Sequence, residues 1–201
     1  MSNVYIKTKI RSGNYAMEYL RKIRKKRILV VCDKFLAESG AINYILDSLD
    51  SSNSVELFDQ AIPDPTIEIV GKGLGVICKV RPDIVIGFGG GSAIDTAKAM
   101  IYFAGVRELV PKPRFITIPT TSGTGSEVTP YAILTNHEKQ IKKSIASPCL
   151  FPTYALLDAK YTKNLGLATT VNTAIDSLSH SVEGMMSKRA NIMADVIAKE
   201  A

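Results

Sequence analysis

Short runs of almost unbroken apolar residues alternate in this chain with stretches whose apolar residues recur at helical spacing. Arg27–Cys32, Asp83–Phe88 and Arg114–Ile118 are the strongest runs. Each reads as a strand buried on both faces, as in a parallel sheet. Val55–Phe58 is a weaker strand and Tyr154–Asp158 a last one. Helical spacing is carried by Tyr15, Tyr19, Leu20 and Ile23 in residues 14–26, and by Ile42, Ile45, Leu46 and Leu49 in residues 40–49. It recurs in Ile67, Val70, Leu74 and Ile77 after a capping Thr66, and a further helix is expected over 93–104. This β-α alternation predicts an α/β domain, Rossmann-like, with a mainly parallel sheet. With 46% hydrophobic residues in 201, the chain can bury a core, and disorder is excluded as its general state.

The texture changes near residue 131. Tyr131–Thr135 and residues 141–146 bracket a polar Asn136–Lys139 and suit a hairpin. After Asn164 the sequence turns helical. We therefore expect an α/β domain over 1–163 and, over 164–201, the first helices of an incomplete all-α domain. Ala190–Lys199 reads as a helix that ends without a Gly, Asn or Pro stop signal, which leads us to expect a cut chain.

No apolar stretch is long enough to span a membrane, and the polar N-terminus lacks the apolar core of a secretory signal. Cys32, Cys78 and Cys149 are odd in number and form no C-x-x-C pair, so neither a disulfide framework nor a thiolate zinc site is indicated. Cytoplasm is the expected compartment. Much of the net charge of +6 sits in Arg21–Arg27. That run could attract polyanions, but no aromatic residue is interleaved to stack on bases, and we expect no nucleic-acid partner. The plainer reading is the solvated end of a helix.

Four constellations carry chemistry. In Ile84–Asp95 a buried strand meets Gly89-Gly90-Gly91-Ser92 and then a helix start. Glycines allow a sharp turn and close approach to the main chain, and the first N–H groups of a helix attract phosphate. Ser92 and Asp95 have capping-box spacing. One glycine suffices for an ordinary tight turn, so three lean toward function. Pro119–Glu127 follows a second strand and is rich in hydroxyls and glycines; alone it could be a surface loop, but beside the first turn it reads as a second wall. Asp33 ends the first strong strand, where a carboxylate can accept hydrogen bonds from an adenosine ribose; a helix N-cap is the simpler alternative. Finally, Asp176 and His180 stand at i and i+4 in a helical stretch, sharing one face. They suit Fe2+ or Zn2+, although an exposed Asp–His pair reads the same way. The second histidine is His137, in the polar turn.

Taken together, Val31–Lys34, Pro63–Thr66, Gly89–Asp95, the Thr120–Glu127 loop and Asp176–Glu183 resemble the iron-containing alcohol dehydrogenase family, with its dehydroquinate synthase-like fold. The resemblance covers essentially the whole chain. It implies that Asp33 favours NAD over NADP, that Asp64 contacts the cofactor, and that Gly90, Gly91 and Ser92 form the pyrophosphate turn. It further implies cofactor contacts from Thr120, Thr121, Thr124 and Lys142, and metal ligation by Asp176 and His180. The other two ligands would be histidines of a C-terminal helical domain absent here. Gly166-Leu167 departs from the family's usual proline, Ala174 from a common Gly and Ser177 from a common Ala.

The implied enzyme is an oxidoreductase that moves hydride between a small-molecule alcohol or aldehyde and NAD(H). Its metal is Fe2+, with Zn2+ possible. It is homodimeric in its full-length form and has neither nucleic acid nor membrane as partner. Two alternatives stand beside it: a chain that binds NAD without turnover, and a glycerol dehydrogenase-like relative.

Overall fold

The computed structural model describes residues 6–136, 139, 141–163 and 165–201. In chain order the first half runs β1 (Lys9–Ser12), β2 (Arg27–Asp33), α1 (Lys34–Glu38), α2 (Asn43–Ser48), β3 (Ser54–Ala61), α3 (Ile67–Val80), β4 (Ile84–Gly89) and α4 (Gly91–Val106). Then follow β5 (Arg114–Pro119), β6 (Tyr131–Asn136), β7 (Ile141–Ala146), β8 (Tyr154–Leu157), α5 (Leu167–Met186) and α6 (Ile192–Glu200). Six strands form one sheet in the order β1-β8-β5-β4-β2-β3, and every pairing in it is parallel. The β6–β7 hairpin is antiparallel and separate, as its sequence pattern predicts. Its turn residues His137, Glu138 and Gln140 lie outside the described residues.

The central strands are apolar throughout because both faces are covered. Ile28, Val30 and Cys32 of β2 face one core with Ile84, Ile86 and Phe88 of β4 and with Ile116 and Ile118 of β5. Leu29, Val31, Val85 and Phe115 face the other, against α3 and α4. Phe88, Ile28, Leu29, Ile86 and Ile116 are fully buried. Each such side chain contributes about 1.5–3 kcal/mol relative to exposure.

Residues 14–26 do not form an α-helix. Residues 16–22 make a 3-10 turn, and Ile23 is already extended. The buried side chains there are Ala16, Met17, Leu20 and Ile23, the last three at three-residue spacing, while Tyr15 is 75% exposed. A three-residue spacing lies on one face of a 3-10 turn and drifts off the face of an α-helix. Residues 40–49 give only the short α2. Gly40 (φ 79°) interrupts the chain between α1 and α2. On α3, Val70 and Ile77 are buried as expected, but Ile67 is 50% exposed. Gly73 takes the contact with α4, where a Cβ would press into Met100. No residue of α5 or α6 is buried. Among the described residues no helix is long and apolar enough to cross a membrane.

Candidate functional site

The sheet order places a switch point between β2 and β4. From β2 the chain moves to β3 on one side, then returns to β4 on the other and continues to β5. In an open α/β sheet the crevice for a ligand lies beyond the carboxyl ends of the strands at such a point. Asp33 ends β2 and Gly89 ends β4, so two of the singled-out motifs flank this crevice. A Cβ on Gly89 would lie 3.8 Å from Asp33 Oδ2.

Asp33 has a structural task here as well. Its Oδ1 accepts from the Leu36 N–H at 2.9 Å and caps α1. The helix-cap alternative is therefore realised, and it leaves Oδ2 on the crevice side.

The glycine turn is tight for identifiable reasons. Gly89 has φ 144°, and a Cβ there would meet the Ala93 Cβ at 2.7 Å. Gly90 is the N-cap of α4 and offers no side chain to its first N–H groups. The first four N–H groups of an α-helix have no intrahelical acceptor, so this end is electropositive. The expected capping box does not form. Ser92 lies inside α4, where its carbonyl accepts from Thr96 Oγ1 at 2.8 Å, and Asp95 points elsewhere.

The second loop leans on the first. Thr120 N–H donates to the Gly89 carbonyl at 3.0 Å. A Cβ on Gly90 would meet Thr121 Cγ2 at 3.3 Å, and one on Gly91 would meet Thr124 Cγ2 at 3.2 Å. The absent side chains thus let the threonine loop seat directly on the turn. Thr120 is buried, and Thr121 Oγ1 is buried with no hydrogen-bond partner among the described residues. An orphaned hydroxyl beside a helix N-terminus fits a polar ligand such as a diphosphate.

Asp64 and Lys142 come together. Lys142 Nζ donates to Asp64 Oδ1 at 2.6 Å, linking the loop after β3 to β7. The hairpin also docks through Thr135 N–H, which donates to the Pro65 carbonyl at 2.8 Å.

Asp176 and His180 share one exposed face of α5, with Nε2 3.8 Å from Oδ1. Among the described residues no third His, Cys, Asp or Glu joins them as a metal-binding group. His137 is outside the described residues. An oxygen and a nitrogen donor on one face fit part of a divalent-metal site. The loop and this helix touch at Gly123 (φ 142°), where a Cβ would overlap the Thr173 carbonyl.

Sequence reasoning missed Lys98. Its side chain is fully buried in α4. Nζ donates to Ser126 Oγ (2.9 Å), Thr129 Oγ1 (3.3 Å) and the Tyr131 carbonyl (2.6 Å). Asp95 Oδ1 lies 3.8 Å from the same ammonium and accepts from Ser126 Oγ at 2.6 Å, while Oδ2 accepts from Ile133 N–H at 2.9 Å. Burial pushes Lys98 down to about 8, against the pull of Asp95 and then Glu127. Burial also raises Asp95 and Glu127, and Glu127 Oε2 is buried without a partner among the described residues. A lysine at a helical position between Ala97 and Ala99 carries no spacing signal. Its one clue is that it faces inward three residues after Asp95.

The model of a family described as iron-containing alcohol dehydrogenase matches residues 7–159. A 1-propanol dehydrogenase of Citrobacter freundii is 38% identical over 202 residues, covering 100% of this chain and 54% of the relative. The aldehyde-alcohol dehydrogenase 2 of Entamoeba histolytica is 34% identical, covering 93% of this chain and 24% of the relative. Among solved structures, sulfoacetaldehyde reductase from Bifidobacterium kashiwanohense in complex with NAD+ superposes with a TM-score of 0.87 at 29% identity, over 98% of this chain and 57% of that one. An iron-containing alcohol dehydrogenase from Thermotoga maritima gives 0.86 at 32% identity, over 98% and 59%. The chain thus spans about half the length of the 1-propanol dehydrogenase it matches.

Proposed function

The chain belongs to the iron-containing alcohol dehydrogenase family, and from that premise we propose that it forms the NAD-binding part of an oxidoreductase acting on a small alcohol or aldehyde. The observation that carries this reading is the meeting of Asp33, the Gly89–Ser92 turn and the Thr120–Glu127 loop at the switch point of a parallel sheet. In this reading the N-terminus of α4 binds the diphosphate through backbone N–H groups of Gly91 and Ser92, with Gly90 leaving room for it. Thr120, Thr121 and Thr124 close the other wall. Asp33 Oδ2 accepts from the adenosine ribose, and its charge repels a 2′-phosphate, which favours NAD over NADP. Asp64 and Lys142 contact the cofactor from the hairpin side.

Asp176 and His180 would hold a divalent metal, Fe2+ by the family's description or Zn2+ by the same donor chemistry. Such a metal supplies Lewis acidity toward the substrate oxygen while the nicotinamide accepts or returns hydride. The chain's own part is to fix the cofactor and to anchor two donors of the metal site. We assign residues 1–163 to the cofactor domain and 164–201 to the start of a metal-binding helical domain. Free Cys32, Cys78 and Cys149 support a reducing, cytoplasmic setting. Homodimerisation of the whole protein belongs to the same reading.

A second reading is favoured by one observation: among the described residues, two metal donors stand on an exposed helix with no third beside them. The 201 residues by themselves would then bind NAD without turning substrate over.

Calorimetric titration with NAD+ and NADP+ tests the proposal. Saturable NAD+ binding, with weaker NADP+ binding, is expected. Asp33→Asn is the informative variant, because the amide oxygen still caps α1 while the charge is gone; the preference for NAD+ should shrink. A folded chain that binds neither nucleotide contradicts the reading.

A further inference from the structure

Glycine-rich loops are mobile unless something ties them down, and the threonine loop is tied at both ends by different means. Its near end is fixed by β5 and by the Thr120–Gly89 backbone hydrogen bond. Its far end, residues 126–133, is met by Thr117 Oγ1 at the Glu127 carbonyl, by Ser147 N–H at the Pro130 carbonyl and by the β6–β7 pairing, and its side chains and backbone are gathered from below by two side chains of α4. Asp95 takes Ser126 Oγ and Ile133 N–H, and Lys98 takes Ser126 Oγ, Thr129 Oγ1 and the Tyr131 carbonyl. Charged groups are rarely buried without a specific set of partners. Here every donor of the ammonium is spent on one loop, and α4 is the helix whose first turn forms the opposite wall. One rigid helix therefore sets both walls. We infer that Lys98 is a positioning residue for the dinucleotide: its buried ammonium pins Ser126, Thr129 and Tyr131 so that Thr120, Thr121 and Thr124 stay seated on the Gly90–Ser92 turn. This rests on the cofactor reading above and assigns a role to a side chain that touches no ligand itself. The groups facing Lys98 from the elements around it are Asp95 of α4 and Glu127 of the loop. Three acceptors surround Nζ, so the ammonium form, with its three donors, is the one the site fits.

The test combines local hydrogen exchange with nucleotide titration on the full chain. Lys98→Met keeps the length and apolar stem and removes the donors. Thr129→Val removes one acceptor at nearly constant shape and serves if Lys98→Met does not fold. For Lys98→Met, exchange of amides in 120–131 should rise about tenfold or more while β2 and β4 keep their protection, and NAD+ affinity should fall about tenfold or more. Thr129→Val should move both readouts in the same direction by about threefold. Unchanged protection of 120–131 in a folded Lys98→Met chain would overturn the inference. So would a loosened loop with unaltered NAD+ affinity, since the lysine would then hold a loop the cofactor does not need. Failure of the unaltered chain to bind NAD+ overturns the cofactor reading itself, and the dinucleotide role of Lys98 with it. That outcome is distinct from binding that survives the substitution.

Discussion

Gly123 and Thr173 are in such close register that any side chain at Gly123 would run into the Thr173 carbonyl of α5. Thr173 is three residues before Asp176, so this contact joins the loop proposed for the cofactor to the helix proposed for the metal. Gly123→Ala should be costly on two counts, because φ is 142° and the space is taken by backbone. About 1–3 kcal/mol for the conformation alone is a reasonable scale. We expect α5 to lift from the loop before the sheet unfolds. Amide exchange should rise in residues 120–125 and 167–176 while β4 stays protected. A variant as protected as the unaltered chain at both places would contradict this.

The Lys142–Asp64 pair yields a different kind of prediction. Both side chains are 59% exposed, so the pair adds about 0.5 kcal/mol at most to stability, and salt should screen it. Lys142→Ala should therefore leave the melting temperature nearly unchanged yet weaken NAD+ binding by about threefold or more. Asp64 has φ 53°, a conformation that asparagine also tolerates. Asp64→Asn should fold normally. Equal NAD+ affinity in Lys142→Ala and the unaltered chain would remove Lys142 from the site.

Asp83 predicts an acid response. It accepts from the Arg27 guanidinium and from the Arg27 backbone N–H at 2.9 Å, and these bonds hold its carboxyl below the usual range. A depressed value in the folded chain means that the unfolded chain binds the extra proton. The stabilisation is thus present above about pH 4 and lost as pH falls through the folded value. With half-exposed partners the effect is about 0.5–1 kcal/mol. Asp83→Asn should lower stability at pH 7 by that amount, and the gap to the unaltered chain should close toward pH 2. Denaturant titrations at both pH values check it, and a constant gap would contradict the linkage.

The helices α5 and α6 bury no side chain, and Leu167, Leu178 and Met186 are 80%, 63% and 80% exposed. Little tertiary packing holds them, so their amides should exchange far faster than those of β2 and β4 in the 201-residue chain. Protection in α5 equal to that in β4 would refute this.

How much of this was legible in the sequence depended on whether a residue's task left a periodic trace. β2, β4 and β5 are apolar on both faces, and the run lengths marked them almost to the residue. Thr66 announced the start of α3 because capping is a local act. β1 left no trace. Its four residues, Lys9-Ile10-Arg11-Ser12, are all exposed, and it is a strand through pairing with β8 far along the chain. The 3-10 turn at 16–22 is hard to tell from an α-helix in the sequence because spacings of three and four overlap over so short a span.

At the site, the glycines and threonines were visible as composition, but the reason for the glycines was not. Gly90 and Gly91 are small so that Thr121 and Thr124 can seat on them, a contact between segments about 30 residues apart. The Ser92–Asp95 spacing is that of a capping box, whereas the structure turns Asp95 toward Ser126 and Ile133. Lys98 gives no signal in the sequence because a lysine in a helix is ordinarily solvated, and only the tertiary fold reveals that this one is enclosed.

The structure of the chain with NAD+ bound is the measurement that bears most directly on the central claim. It should show the diphosphate at the N-terminus of α4, within hydrogen-bonding reach of the Gly91 and Ser92 N–H groups, and the adenosine ribose on Asp33. A nucleotide seated anywhere other than the crevice between β2 and β4 would contradict the account.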